Sequence, residues 1–401
     1  MNDIQIKFQK GYKFEFYPTD SQKDLLANTF GCVRFTWNHI LADLIKEYEH
    51  YKAIKNTSTT SIRPIITGFN LINKLVSLKS VPEHDFLNNI SSVALQQTMI
   101  HLNEAFAGLM KYHRGYPNFK NKYSKQSFTL MTNSFRFIDS KCYIAKSKEP
   151  LNIVWSRVLP SDPSSATISK TASGRYYISF ICEYIPEKTN GCGKIGIDLG
   201  IKHYLVISNG EKIDNPKHYL NSQKRLRRLQ QSLFRKQKGS SNRSKSKLAV
   251  AKINEKVANQ RNDFQHKLSR RLVNENQVIG LEKLKVSNMV KNHKLAKHIT
   301  DAAWSSFTNK IQYKAKESQH CKIVYMDCWY PSTHICSACS TKLARKLLLS
   351  EREWVCPTCE TKHDRDTNAS QNISNVSLYT LKHFGLDKVS GHCVVLANYL
   401  Q

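Results

Sequence analysis

Four cysteines have the spacing of a metal site. Cys336 and Cys339 form one Cys-x-x-Cys pair, Cys356 and Cys359 form another, and sixteen residues lie between the pairs. Each pair fits a tight knuckle, and two knuckles close a tetrahedron of thiolates around Zn2+. The segment between them is too short for a core of its own, so the metal would supply its folding energy. Four thiolates leave no open coordination position, so the expectation is one structural zinc ion that does not activate water. A redox dithiol is the alternative.

Three carboxylates make the second candidate set. Asp198 lies in KIGIDLG, residues 194–200. Glu282 follows the apolar run VIGL at 278–281. Asp366 lies in HDRDTNASQNI, residues 363–373, ahead of a helix. Each has an ordinary reading when taken singly: a strand-end or turn residue for Asp198, a salt-bridged strand end for Glu282, and a helix N-cap for Asp364 or Asp366. Three carboxylates that converge do not all stay ionised without a cation. A pair of Mg2+ ions would resolve the repulsion, one activating a water and the other steadying the leaving oxygen of a phosphodiester.

The elements that must position these groups can be read from apolar patterning. Residues 194–199 have the β-branched content of a buried strand. A second run, 204–208, ends in the hairpin signal Asn209-Gly210. This puts Asp198 on the first strand of an antiparallel pair. Residues 278–281 and 322–326 are further buried strands. Toward the start, residues 4–17 alternate, with Ile4, Ile6 and Phe8 and then Tyr12, Phe14 and Phe16 on one face, as in a strand or hairpin. Thr19 and Gln22 fit a capping box. The helix they open is expected to break at Gly31 and resume with Val33, Trp37 and Ile40. A clear helix follows at 93–110, and 127–184 reads as short strands of a barrel or sandwich, with the helices of roughly 20–110 inserted.

Charge gives the partner class. The 401 residues hold 61 Lys plus Arg against 31 Asp plus Glu, a net charge of +30, as expected of a chain that sits on phosphate backbones. A polybasic membrane protein is disfavoured, because no apolar run approaches the roughly 20 residues of a spanning helix. The start of the chain lacks the apolar stretch of a secretory signal. Eleven cysteines, an odd number, suggest a reducing compartment. The stretch KYHRGYPNFKNKYSK, 111–125, interleaves cations with aromatics, and Lys120 and Lys122 there are candidate nucleic-acid contacts. A solvated loop is the equal alternative. Residues 221–275 form a strongly basic helical hairpin, with Arg225, Arg227, Arg228, Arg235 and Arg243 as further candidates.

GIDLGIKHYLVISNG, VIGLEKL and HDRDTNASQNI resemble the three segments of a RuvC-type RNase H fold. The CSAC…CPTC ribbon sits between the second and third, as in TnpB, the transposon-encoded relative of type V CRISPR effectors. YPTDSQKDLLANTFGCVRFTWN, GYPNFKNK and RLRRLQQSLFRKQKGSSNRSKSK are similar to upstream segments of that family. The resemblance covers most of the chain and is weakest at 55–90 and after about 385. It implies a multidomain α/β plus β-barrel protein: a wedge-like barrel (1–18 and 111–188) with an inserted helical domain (19–110), a RuvC-like nuclease domain (194–330 and 363–385) with an inserted zinc ribbon (331–362), and a tail (386–401). It assigns Asp198, Glu282 and Asp366 to a two-magnesium site. Asp366 is preferred to Asp364 because the family's acid precedes x-Asn-Ala, and Ser370 stands where Ala is usual. It implies a cytoplasmic, nucleoid-associated, prokaryotic-type endonuclease that uses a guide RNA from the transposon end against double-stranded target DNA. An RNA-independent RuvC-like transposase and a catalytically silent RNA-guided repressor are the alternatives.

Overall fold

The computed structural model describes residues 7–55, 66–123, 125–187, 189–327, 329–345, 347–348, 350–383 and 393–395. Ile4, Ile6, Cys328, most of the Ser/Thr-rich stretch at 55–68, which as a sequence reads as a loop, and most of the 386–401 tail lie outside them. The chain divides into two compact units at Ile185/Pro186.

The first unit opens with β1 (Phe8–Tyr17) and α1 (Asp20–Lys55). The alternating stretch is one continuous strand rather than a hairpin; it pairs with Tyr176–Tyr184 over Phe8–Phe16 and with Asn152–Ile153 at Phe16 and Tyr17. The capping box forms as the sequence suggests: the Thr19 amide donates to Gln22 Oε1 at 3.1 Å, and the Gln22 amide to Thr19 Oγ1 at 3.4 Å. Gly31 does not break α1, which runs through it without interruption. Burial of Phe30, Val33, Trp37, Ile40 and Leu41 along one face outweighs the roughly 1 kcal/mol a helical glycine costs. Next come α2 (Gly68–Lys79), α3 (Ser92–Tyr112), β2 (Gln126–Met131), β3 (Phe135–Ile138), β4 (Lys141–Ile144), β5 (Asn152–Ile153), β6 (Ser165–Lys170) and β7 (Tyr176–Tyr184). The expected barrel appears as a five-stranded sheet in the order β2-β6-β7-β1-β5, with β3-β4 as a separate ribbon. The edge strands β2 and β5 are not hydrogen-bonded to each other. All three helices are threaded between β1 and β2, and one apolar core, with Leu26, Leu95, Met99, Phe128 and Phe180, joins helices to sheet.

The second unit contains β8 (Gly193–Leu199), β9 (His203–Ile207), β10 (Lys212–Asp214), α4 (His218–Phe234), α5 (Ser241–Glu275), β11 (Asn276–Glu282), α6 (Val286–Met289), α7 (His293–Ala302), α8 (Trp304–Ser318) and β12 (Lys322–Met326). It closes with β13 (Glu353–Val355), β14 (Lys362–Asp364), α9 (Arg365–His383) and β15 (Cys393–Val395). Its sheet runs β10-β9-β8-β11-β12-β15. Strands β8, β11, β12 and β15 are parallel, and β9 and β10 add an antiparallel edge. Residues 393–395 of the expected tail are therefore a strand of this sheet. Among the described residues, no helix is long and apolar enough to cross a membrane.

Candidate metal and nucleic-acid site

Asp198 and Glu282 stand near the carboxyl ends of neighbouring parallel strands, where open α/β sheets place their ligands. Leu281 pairs with Ile197 across β8 and β11, so the two acids follow in adjacent register; Asp198 also faces Val206 of β9. Gly196 and Gly280 are partners in the same ladder. Together they make a floor without side chains on which α9 rests. A Cβ on Gly196 would stand 2.1 Å from the Ser370 carbonyl oxygen, and one on Gly280 2.3 Å from Ser377 Oγ. This contact carries Asp366, in the first turn of α9, toward the strand ends. Asp364 is occupied elsewhere. Its Oδ1 accepts from the Thr367 amide at 2.9 Å, and its Oδ2 from Lys212 Nζ at 2.7 Å.

The charges are coupled. Burial pushes the Asp198 carboxyl up to about 8, with the Glu282 and Asp366 charges adding to the shift and Arg365 opposing it. Asp198 still keeps part of its surface open to solvent, so a dense protein surround raises it while water can reach it. Burial also raises Glu282, against the Ser332 hydroxyl that donates to its Oε1 at 2.8 Å. Asp366 is bound by two guanidinium groups, Arg352 Nη1 at 3.0 Å and Arg365 Nε at 3.2 Å. The acids meet electrostatically without forming a tight ligand set. Among the described residues, the one group of three or more ligand side chains whose atoms all lie within 4.8 Å of one another is Cys336, Cys339, Cys356 and Cys359. The acids suit a divalent cation because they concentrate hard oxygen donors whose mutual repulsion a cation relieves.

The cysteine set suits zinc on geometry. Sγ of Cys336 lies 3.6 Å from that of Cys359, and Cys339 lies 3.6 Å from Cys356. The edge of a tetrahedron with Zn–S bonds of 2.3 Å is about 3.8 Å. The two knuckles repeat each other. Cys336 exchanges backbone bonds with Ser340 and Thr341, as Cys356 does with Glu360 and Thr361, and Ser340 and Glu360 both have positive φ. The Thr341 hydroxyl and amide pull Cys339 down to about 6, the direction a thiolate ligand needs, while burial holds Cys336 up at about 12. His363 Nε2 lies 3.0 Å from Cys336 Sγ, a neighbour that spacing alone did not mark.

Buried asparagines tie the ribbon to the acid site. Asn368 Oδ1 accepts from the Ser337 amide at 2.8 Å, and Asn372 Nδ2 donates to the Ser332 and Ile335 carbonyls, each at 2.7 Å. Ser332 reaches Glu282, so the first knuckle, α9 and β11 are connected. Ser332, Arg352 and Asn372 escaped the sequence reading, because isolated polar residues carry no spacing signal.

Comparison with known proteins identifies the family. Residues 177–293 match the OrfB_IS605 family, described as "Probable transposase". Residues 304–373 match the Cas12f1-like TNB domain. A protein of Streptomyces pristinaespiralis named "Putative RNA-guided DNA endonuclease" is 38% identical over 373 residues, spanning 92% of this chain and 89% of the relative. This chain belongs to the TnpB family. The InsQ protein of Escherichia coli K12, also named a "Putative RNA-guided DNA endonuclease", is 24% identical over 92% of both chains. A solved Cas12f1–sgRNA–target DNA complex contains a protein of the same fold, with a TM-score of 0.54 at 13% identity over 92% of this chain and 99% of that one. Residues 8–53 match a helix-turn-helix family model. In this TnpB relative they form a strand and one uninterrupted helix.

The basic residues of this TnpB-family chain divide by their surroundings. Arg225, Arg227, Arg228 and Arg235 are exposed along and just after α4. Arg243 is committed to the fold: its Nη1 donates to the Leu233 and Lys236 carbonyls at 2.9 and 2.8 Å, closing the end of α4. In the first unit, Lys122 is exposed, whereas Lys120 lies over the Trp37 ring at 3.6 Å, and burial pulls its ammonium down to about 8. Asn38 brackets the Lys120 backbone with two 2.7 Å bonds. Lys120 thus anchors the aromatic-basic loop to α1, and Tyr112, Phe119 and Tyr123 remain exposed.

Proposed function

We propose that this chain is an RNA-guided DNA endonuclease that hydrolyses a phosphodiester at Asp198, Glu282 and Asp366. The convergence of these acids around the Gly196/Gly280 floor carries the reading, and membership of the TnpB family and the +30 charge support it. Two Mg2+ ions held by the three carboxylates would supply activation of water and stabilisation of the leaving oxygen. Asp198, adjacent to both other acids, is the shared ligand. Ser332 keeps the Glu282 carboxylate aimed by donating to one oxygen, and Arg365 and Arg352 hold Asp366 ready beside a site that must take up positive charge. The cysteine ribbon carries one Zn2+ as a staple. The first unit, a wedge-like sheet with its inserted helices, and the arginines of α4 grip the guide RNA and its heteroduplex through backbone and shape.

The test is purification with and without the flanking transcript, sequencing of the RNA that co-purifies, and incubation with a plasmid matching that RNA. Cutting that requires RNA, matched target and Mg2+ is expected. Guide-independent cutting would favour an RNA-independent nuclease, and guided binding without cutting would favour a silent repressor.

A further inference from the structure

Trp329 is 82% exposed, whereas Trp37, Trp304 and Trp354 are all buried. An indole left in water adds nothing to folding, and hydrogen bonds tie the backbone beside this one. Its amide donates to Asp327 Oδ1 at 2.7 Å, the Tyr330 amide to the Asp327 carbonyl at 3.2 Å, and the Ser332 amide to the Tyr330 carbonyl at 2.9 Å. Ser332, three residues on, donates its hydroxyl to Glu282. Lys285, three residues beyond Glu282, places its Nζ 5.6 Å from the Trp329 ring centroid. An exposed aromatic ring and a flexible cation therefore flank one catalytic acid, and short hydrogen-bonded segments connect both to it.

We infer that Trp329 is a stacking post for a base of the unpaired DNA strand entering the acid site, with Lys285 on the adjoining phosphate. A π-face with a neighbouring ammonium is the combination that holds single-stranded nucleic acid without reading its sequence. The cation occupies one side of the ring and leaves the other for a base. Stacking beside Glu282 would fix the strand so that a phosphate, rather than a base, faces the carboxylates. The inference rests on the acid site proposed above.

The experiment uses the guide-loaded full chain and a target strand carrying 2-aminopurine next to the cut position. In an Asp198→Ala background, 2-aminopurine emission is expected to fall on binding, and Asp198→Ala/Trp329→Ala should leave it bright. In otherwise wild-type protein, Trp329→Ala should lower kcat/KM on a single-stranded target about tenfold or more, mostly through KM. Trp329→Phe should restore most of the loss, and guide RNA retention should be unchanged. Wild-type cleavage by Trp329→Ala with the quenching intact would overturn the inference, as would loss of guide RNA in place of the DNA effect. Cutting by Asp198→Ala alone would instead remove the acid site, and this inference with it.

Discussion

The four cysteines and the three carboxylates of the second unit are assembled by different means. The thiols come from two short knuckles within one segment, and their sulfurs gather within 4.8 Å. The acids come from two strands and a helix far apart in sequence, and they approach only until their charges are felt. Thiols can crowd together, whereas like-charged carboxylates raise one another's proton affinity or turn to cations such as Arg352 and Arg365. One site is therefore a local motif suited to a metal. The other is a property of the whole sheet and depends on backbone contacts with no chemistry of their own.

The contrast makes the largest effect one of folding. Cys356→Ser, or a strong chelator, should strip the zinc and unfold the ribbon, because structural zinc supplies on the order of 10 kcal/mol. Zinc content and soluble yield are the measurements, and a fully zinc-loaded mutant would break the comparison. Next is the floor of the acid site. Gly196→Val should displace α9 from the sheet and cost about 3 kcal/mol or more. Loss of cleavage with zinc retained, followed by thermal melting, would show that the acid site fails while the ribbon survives.

A pH effect sharpens the electrostatic half. Burial pushes the folded Asp198 carboxyl up to about 8, from its ordinary value near 4. Mg2+-free protein should therefore lose stability as pH rises from about 4 toward 8, where the buried group must ionise. Asp198→Asn should melt about 3 °C or more above wild type at pH 8 in Mg2+-free buffer without chelator, and the gain should vanish near pH 4. Added Mg2+ should stabilise wild type at pH 8 and leave the Asn variant unmoved. The smallest effect belongs to Arg352. Its pair with Asp366 is partly solvent-exposed, so Arg352→Ala should shift the Mg2+ concentration for half-maximal cleavage only a few-fold, toward lower values.

Much of the second unit was legible because its signals are local. Apolar runs ending at Asp198 and Glu282 mark strand ends, Asn209-Gly210 marks a turn, and Cys-x-x-Cys spacing marks the knuckles. The tertiary devices were not legible. Gly196 and Gly280 look like unremarkable strand glycines until α9 lies across them. Gly31 reads as a helix breaker because local propensity contains no term for the core that α1 buries. Lys120 and Arg243 count toward the basic charge, yet one packs on Trp37 and the other caps α4. Ser332 touches Glu282 from fifty residues away, and nothing in its neighbourhood in the sequence marks that.

The proposed chemistry requires that Asp198 serve the reaction while playing little part in binding. The direct measurement is plasmid cleavage by guide-loaded Asp198→Ala in Mg2+, alongside its affinity for guide RNA and for matched target DNA. Cleavage is expected to fall below detection, with both affinities near wild type. Cleavage at the wild-type rate would contradict the assigned site.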